Sequence, residues 1–499
     1  MLKKIKYFAI SIFILLSFGL NAEAQSIAEK NVSKSNSLPP KNPFAKSSSA
    51  NSTFAIDVFS NFAAAARNQN YAFERGQLPD SLTNNANKND LAFDNNSQLY
   101  LKSYLVSDSE IKYGATLKLE SEVFSDKIKG AIDVDEGFVY AESDFGKVEF
   151  GNNVPVNQTM KAGPTRFARG DGGINGNYLK YINFPMLANS ASGACSGGTL
   201  SSACSTVKLP RFILIPQSPI GHGGYAQGFY SNGSSNAYRS DLDNYNSFNK
   251  NRAKMLRDGS FNGAEDAAKI TYYSPRISAL QFGFSFTPDS SDNGISSTVF
   301  SNDEIKLTNI ISFGVNYSDN LDNLGYAISL TGEKGKYKKS SGAAAVERND
   351  LSAYDASITL AYFGFNFGAS FGSWGNSLQP KSGIYSCDYN SGLPLADQQC
   401  SSNAKKFNDA TYKTLGISYQ IGHLGASITN LSSQFQKNKY QATSFGLDYK
   451  LARDLMPYTE ITRFKFKSNQ ANASDISANP IDPKNNQGFV FLVGVLLAF

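Results

Sequence analysis

The chain has 499 residues, of which 18% are charged and 13% are aromatic, with 36 Phe and 26 Tyr against a single Trp. Its 47 basic and 42 acidic residues give a net charge of +5, too small and too scattered to indicate nucleic-acid binding. Two histidines leave no room for a His-rich metal centre, and a mean hydropathy of −0.32 excludes a bundle of hydrophobic helices. We therefore expect no metal, no cofactor and no nucleic-acid partner.

Residues 1–24 have the composition of a secretory signal peptide. Lys3, Lys4 and Lys6 form a basic head, residues 7–20 are an apolar run, and residues 22–24 (Ala-Glu-Ala) offer a cleavage site with small residues. The run is short for a spanning helix, and an uncleaved anchor is the alternative interpretation. Residues 25–52, rich in Ser, Asn, Lys and Pro, predict a flexible N-terminal extension in the periplasm.

From residue 53 onward the dominant signal is an alternation of period two. Leu280, Phe282, Phe284 and Phe286, for example, alternate with Gln, Gly, Ser and Thr. Successive side chains of a strand point to opposite faces, so each such segment has one apolar face and one polar or small face. The polar faces are mostly Gly, Ser, Asn and Gln, which is typical of a water-filled barrel whose outside meets lipid.

The alternation predicts sixteen strands, an even number that places both ends of a barrel on one side. Their connections are alternately long (68–96, 152–266, 377–408) and short (107–110, 275–278, 422). The sequence therefore predicts an all-β fold, a transmembrane antiparallel β-barrel over residues 53–499, with long outward loops and short periplasmic turns. The predicted strands are 53–67, 97–106, 111–122, 131–142, 145–151, 267–274, 279–288, 305–318, 324–337, 352–363, 364–376, 409–421, 423–435, 439–450, 455–467 and 487–499.

The four cysteines fall into two local pairs, Cys195 with Cys204 and Cys387 with Cys400, each in a Ser-, Gly- or Asn-rich segment. In an exported protein this spacing predicts two disulfides, with free thiols as the alternative. A zinc site is disfavoured because no Cys-x-x-Cys spacing is present.

Several stretches resemble the general Gram-negative porins, especially those of the alphaproteobacterial type. They are residues 111–120 followed by 137–152, residues 269–275 followed by 281–289, and the alternating last strand that ends in Phe499. The resemblance implies a sixteen-stranded barrel, usually a homotrimer, that passes small hydrophilic solutes and ions across the bacterial outer membrane by passive diffusion. It also implies contact with outer-membrane lipid and lipopolysaccharide, and recognition of Phe499 by the barrel assembly machinery.

In this family the third loop folds into the lumen and narrows the pore. Here the corresponding segment, 152–266, is much longer, so we expect a small subdomain or a disulfide-pinned plug around the first cysteine pair. Arg166, Arg169, Asp171 and Lys180 are the preferred constriction residues, and ordinary solvated loop charges are the alternative. Further charged residues of the loop are weaker candidates: Lys161, Arg211, Arg239, Asp241 and Asp243.

On the barrel wall, alternation predicts that Lys112, Lys118 and Glu120, and likewise Asp448 and Lys450, face the lumen. A Lys on the lipid face at mid-depth would cost about 2–4 kcal/mol. The pattern does not assign a face to the charged residues of strand 455–467. Tyrosines near strand ends predict interfacial aromatic girdles, with ordinary sheet packing as the alternative: Tyr272, Tyr273, Tyr317, Tyr326, Tyr362, Tyr412 and Tyr458.

The sequence thus favours a diffusion porin. A solute-selective channel with a binding site in the long loop, and a surface adhesin or receptor acting through its loops, are the alternatives. Catalysis is the least favoured function, because neither His222 nor His423 has a Ser or acid partner at a recognisable spacing.

Overall fold

The structure is a computed structural model. It describes residues 52–69, 91–124, 132–175, 177–182, 187–190, 206–209, 212–217, 267–290, 306–338, 349–377, 410–435, 438–467 and 485–499. The predicted signal peptide, the extension up to residue 51 and all four cysteines lie outside these ranges. No helix within them is long and apolar enough to cross a membrane.

Sixteen antiparallel strands close into one barrel, and β1 completes the circle by pairing with both β2 and β18. In sequence order the described strands are β1 Ser52–Asn68, β2 Leu91–Val106, β3 Lys112–Phe124, β4 Ile132–Ser143, β5 Gly146–Asn152, β6 Leu187–Ser190, β7 Thr206–Leu209, β8 Ala268–Tyr273, β9 Leu280–Asp289, β10 Lys306–Leu321, β11 Leu324–Lys338, β12 Leu351–Tyr362, β13 Phe365–Gly375, β14 Ala410–Ile421, β15 Leu424–Phe435, β16 Asn438–Tyr449, β17 Leu455–Lys467 and β18 Asn485–Ala498. β5 pairs with β8, while β6 and β7 form a separate hairpin within the long connection.

The predicted fold and its sixteen strands are confirmed. The largest boundary difference is at β2, which starts at Leu91 rather than at residue 97. The first residues of β2 include Asp94 and Asn96, two polar residues that depart from the apolar alternation by which strands were predicted. Both side chains are buried in the barrel interior. Polar residues are compatible with a strand when their side chains point into a polar lumen.

The outer face of the barrel is apolar, as the alternation predicts. On β9, Phe282 and Phe284 are about half exposed, whereas the intervening Gly283 and the following Ser285 are buried. Phe365 and Phe367 on β13 repeat this arrangement. Large apolar side chains remain exposed around a single-layer wall only where lipid covers them.

The two ends of the barrel differ in their connections. Two-residue turns join β4 to β5, β10 to β11, β12 to β13 and β14 to β15, and Phe499 lies at the same end. We call this the turn end, and the opposite end the loop end. In the β12–β13 turn Phe363 and Gly364 both have positive φ (45° and 80°), as a tight hairpin turn requires. At the loop end the connection between β15 and β16 has only two residues and is therefore an exception among the connections there.

Three of the tyrosines predicted to form girdles point into the barrel instead. Tyr412 and Tyr458 are buried there, and the Tyr273 hydroxyl lies 2.9 Å from that of Thr159, so the girdle prediction is wrong for these three residues. Tyr317 and Tyr326 do stack on each other near the turn end, with ring centroids 5.8 Å apart. Successive residues of a strand point to opposite faces, so a tyrosine near a strand end can face either lipid or the barrel interior. Closeness to the strand end does not determine which face it occupies.

Candidate functional site: a collar inside the barrel

After β5 the chain turns into the lumen and follows the inner wall. We call residues 155–175 and 177–182 the collar. It contains one short helix, α1 Val156–Thr159, and three 3₁₀ turns, Pro164–Arg166, Gly173–Asn175 and Asn177–Tyr181. The collar contacts successive strands from β9 round to β18 and β1.

The collar's first half is held by hydrogen bonds between its backbone and side chains of the wall. The amides of Val156, Ala162 and Gly163 donate to the hydroxyls of β9 Ser285 (3.1 Å), β11 Ser329 (2.8 Å) and β12 Thr359 (2.9 Å), in that order. Between the first two, Asn316 of β10 donates to the carbonyl of Met160 at 3.1 Å, a further wall-to-collar bond. An irregular backbone inside a protein needs such partners, so these wall residues fix the collar's route.

Paired glycines make room for the collar. Gly283 and Gly314 are register partners on β9 and β10, and a Cβ at either would lie 3.0–3.1 Å from atoms of the α1 turn. Gly368 and Gly416 are partners on β13 and β14, and a Cβ on Gly416 would lie 2.5 Å from the Cβ of Pro164. Glycine leaves room at these positions because side chains of the collar approach the wall backbone closely.

A buried ion pair anchors the collar to β12. Lys161 Nζ lies 3.1 Å from a carboxylate oxygen of Asp355, and both side chains are buried. Lys161 also donates to the hydroxyl of Tyr412 at 3.1 Å and to the carbonyl of Pro216. Burial lowers the pKa of Lys161, and the negative charge of Asp355 opposes that shift. Lys161 therefore joins three separate segments at one point.

The collar's second half is fixed by charged and polar side chains of β14, β16, β17 and β1. Arg169 forms a salt bridge with Asp448 of β16 and also donates to Gln420 of β14 at 3.4 Å. The amide of Asp171 donates to Glu460 of β17 at 2.9 Å, and Asn61 of β1 donates to its carboxylate at 3.3 Å.

The collar ends against β1 and β18. Arg67 of β1 donates to the carbonyl of Tyr181 at 2.9 Å, and the last 3₁₀ turn contacts β18. The inner face of β18 carries Val490 and Leu492, which belong to the same buried hydrophobic cluster as Tyr178 and Leu179 of the collar. This packing accounts for the two apolar side chains on the inner face of β18.

An apolar plug, residues 212–215, fills the barrel interior at the loop end beside the collar. Phe212 packs edge-on against Phe466 of β17 at a centroid distance of 5.1 Å. The Ser433 hydroxyl donates to the carbonyl of Ile213 at 2.6 Å, and the Trp374 indole donates to that of Gln217 at 3.0 Å. Residues 212–217 thus pack against the inner faces of β13, β15 and β17 at this end and are buried there.

The inner faces of β2–β5 lie opposite the collar's docking strands, and they are charged. Lys118 of β3 lies 2.5 Å from Asp135 and 3.6 Å from Glu136 of β4. The register shifts at this point, pairing Lys118 with Glu136 and Leu119 with Val134, so Asp135 is the extra residue of a β-bulge. The bulge allows two consecutive carboxylates to face the same cation, which simple alternation forbids.

The predicted site residues occupy different environments. Arg166 is solvent-exposed on its 3₁₀ turn, whereas Arg169 and Asp171 are engaged by the wall. Lys180 lies in the last 3₁₀ turn, and its side chain is outside the described part of the structure. The two wall residues predicted near β16 differ in their roles. Asp448 forms a salt bridge with Arg169, whereas Lys450 follows the strand and its backbone amide donates to the carbonyl of His423.

The remaining predicted wall residues lie on β3. Lys112 is 3.8 Å from Glu142, and Glu120 is buried and accepts a hydrogen bond from Gln98 at 3.3 Å. Sequence reasoning missed Asp355, Glu460 and Ser329 as collar partners. Asp355 interrupts the small and hydroxyl residues of its face, and that interruption is the one signal that could have revealed it. The predicted disulfide cysteines (Cys195, Cys204, Cys387 and Cys400) lie outside the described residues.

A closed barrel with an apolar outer surface and a segment folded along its inner wall defines a transmembrane β-barrel of the channel class. The chain belongs to the Gram-negative porin family, because the sequence model of that family matches residues 44–469.

Two relatives are uncharacterised proteins of Rickettsia. That of Rickettsia bellii is 24% identical over 492 residues, covering 91% of this chain and 94% of its own length. That of Rickettsia felis is 22% identical over 423 residues, covering 75% and 78%. Among solved structures, the anion-selective porin from Comamonas acidovorans has a TM-score of 0.45 at 14% identity. A triple mutant of Rhodopseudomonas blastica porin has a TM-score of 0.43 at 11% identity; both comparisons cover 90% of this chain and 100% of the other.

Proposed function

We propose that this porin passes small hydrophilic solutes and ions by passive diffusion, through the space between the collar and the inner faces of β2–β5. The observation that carries the proposal is the one-sided docking of the collar. Its backbone hydrogen bonds and close contacts engage β9–β18 and β1, while Lys118, Glu120 and Glu136 line the opposite wall. Burying charged side chains in a dry apolar interior costs free energy, so a wall with this many charges favours a water-filled space beside it.

We further propose that this path favours cations. Three lysines near the wall are each paired with one carboxylate: Lys102 with Asp57, Lys112 with Glu142, and Lys147 with Glu149. Lys118, in contrast, contacts two carboxylates, Asp135 and Glu136, and the charge of Lys269 on β8 also acts on Glu136. At the described inward positions of β1–β5 and β8, the carboxylates still outnumber the cations: Asp57, Asp94, Glu120, Asp135, Glu136, Glu142 and Glu149 against Arg67, Lys102, Lys112, Lys118, Lys147 and Lys269. This excess of negative charge raises the local concentration of cations in a narrow passage.

Planar-bilayer recording on the purified full-length protein tests both statements. A diffusion pore gives a conductance that rises in proportion to salt concentration, and its reversal potential in a KCl gradient has the sign of K⁺ permeation. Liposome swelling with sugars of increasing size gives entry rates that fall smoothly with size. Saturation at low solute concentration would instead favour a solute-selective channel.

The cellular setting is part of the proposal. We infer export by cleavage after residue 24, a periplasmic extension over residues 25–52, and an outer-membrane trimer with the turn end in the periplasm. Phe499 is exposed at the turn end, where assembly machinery would have access to it. Mass spectrometry of the mature N-terminus and chemical crosslinking in outer-membrane fractions measure the cleavage site and the subunit number.

A further inference from the structure

The aromatic side chains that point into the barrel are not all covered alike. On the strands beneath the collar and the plug, Trp374, Tyr412 and Phe464 are fully buried. Tyr104 of β2 and Tyr140 of β4, on the opposite wall, are only partly buried. These two rings border the proposed path of diffusion, so a passing solute can reach them.

Tyr104 and Tyr140 stand on either side of a glycine. Both are register partners of Gly114 on β3, which lies between their two strands. Neighbouring strands are about 4.8 Å apart, so the Cα atoms of the two tyrosines are separated by about 10 Å. Gly114 places no side chain between them, and atoms in contact are about 3.5–4.0 Å apart. The gap, which we call the tyrosine slot, is therefore wide enough for one ring-shaped solute between the two side chains.

Charged side chains border the tyrosine slot toward the turn end. Lys112 Nζ lies 4.6 Å from the centroid of the Tyr104 ring and 5.9 Å from that of Tyr140, and Lys147 Nζ lies 4.8 Å from the Tyr140 centroid. Lys112 is 3.8 Å from Glu142, and these two side chains are 39% and 46% exposed. An ammonium has three donors and a carboxylate about four acceptor sites, so this single contact leaves both groups able to bind a solute.

The charges decide which solutes fit the tyrosine slot. An aromatic face attracts organic cations, but here the ammonium groups of Lys112 and Lys147 lie near the rings and repel them. Organic anions are repelled by the excess of carboxylates along the same wall. A neutral solute meets neither barrier. The rings favour one with a flat apolar face, and the ammonium and carboxylate groups favour one edged with hydroxyls, because a hydroxyl both donates and accepts hydrogen bonds.

We infer that the tyrosine slot binds neutral sugars in their six-membered ring form as they pass through the barrel. The inference rests on the proposed function, which places water and solutes beside this wall. A sugar ring with equatorial hydroxyls presents C–H groups on both faces, which pack against Tyr104 and Tyr140, while its hydroxyls reach Lys112 and Glu142. Each of these hydrogen bonds replaces one to water, so binding is weak, in the millimolar range, and release is fast enough for diffusion to continue.

The test records the ionic current of the full-length protein in a planar bilayer while cellobiose, a disaccharide with equatorial hydroxyls, is added. A bound sugar obstructs the ions, so the wild-type current should fall along a saturating curve. In Y104L/Y140L the half-saturating concentration should rise about fivefold for each ring lost, which is the strength typical of aromatic stacking. Y104F/Y140F keeps both rings and should bind nearly as the wild type does. The matched control is Tyr113→Leu, because Tyr113 lies on the lipid face of β3, and its curve should be that of the wild type.

An unchanged curve in Y104L/Y140L would overturn the inference. Sorbitol, an open-chain polyol with hydroxyls but no flat ring, should inhibit the wild type far less than cellobiose does. Equal inhibition by the two solutes would also overturn the inference, and this comparison needs no variant that folds. The current before any sugar is added separates the two proposals. Its absence in the wild type would refute the pore, whereas a normal current that cellobiose leaves unchanged would refute the sugar site alone.

Discussion

Replacing Asp355 with Asn should release the middle of the collar from the wall. The substitution keeps the shape of the side chain but removes the charge that faces Lys161 at 3.1 Å. Both side chains are buried, so the Lys161 ammonium would lose its counter-ion in a place where water cannot replace it. Removing one partner of a buried ion pair typically costs about 3–5 kcal/mol.

Lys161 keeps two other acceptors, Pro216 and Tyr412, which places the expected cost near the lower end of that range. At 1.4 kcal/mol per factor of ten, about 3 kcal/mol raises the population of detached collar roughly a hundredfold. Asp355 opposes the burial-driven fall in the pKa of Lys161, so its loss lowers that pKa further. A neutral Lys161 tolerates burial, and the effect of the substitution should therefore shrink as the pH rises toward the ordinary pKa of lysine.

Single-channel recording measures the consequence as more frequent transitions to a larger conductance at neutral pH. Asp57→Asn is the matched control, because it also removes one carboxylate facing a lysine, at 2.7 Å, but this pair is about half exposed. The control should leave the frequency of transitions unchanged, since exposed pairs contribute little. Identical recordings from wild type and D355N would refute the assignment of Lys161 and Asp355 as the collar's anchor.

Three further predictions concern the same interior. Phe212→Ala should lower stability by about 3–5 kcal/mol, measured by urea unfolding in detergent, because it removes a buried ring packed on Phe466; an unchanged midpoint would contradict the packed plug. Gly416→Val should lower the free energy of unfolding by about 1–3 kcal/mol through overpacking against Pro164, and it should increase the noise of the single-channel current. A variant with the same current noise as the wild type would contradict the close docking of the collar. Arg166→Gln should shift the reversal potential further toward cations; no shift would place that exposed side chain outside the current path.

The strands could be predicted because a single-layer barrel imposes one rule on every residue. A side chain faces either lipid or the interior, so a period of two appears wherever a strand crosses the membrane. Pro457 illustrates how robust that signal is, since β17 continues through it. The route of the collar could not be predicted in the same way.

The collar escaped prediction because its partners share the composition of an ordinary lumen wall. Gly283, Gly416 and Ser329 are of the residue types that line water in such a barrel, whereas here they contact the collar. Such contacts depend on which strands a long segment meets, and local spacing does not contain that information. The bulge at Asp135 escaped for a related reason, because one extra residue changes which side chains share a face.

A matched pair of tryptophan substitutions on β3 shows whether solutes pass between the collar and the inner face of β2–β5. Thr116 lies on the inward face with Lys118, and the adjacent Ala115 is exposed on the outer face. Single-channel conductance should fall in Thr116→Trp and stay at the wild-type value in Ala115→Trp, whose ring would lie in lipid. Equal conductance in both variants and the wild type would contradict this path.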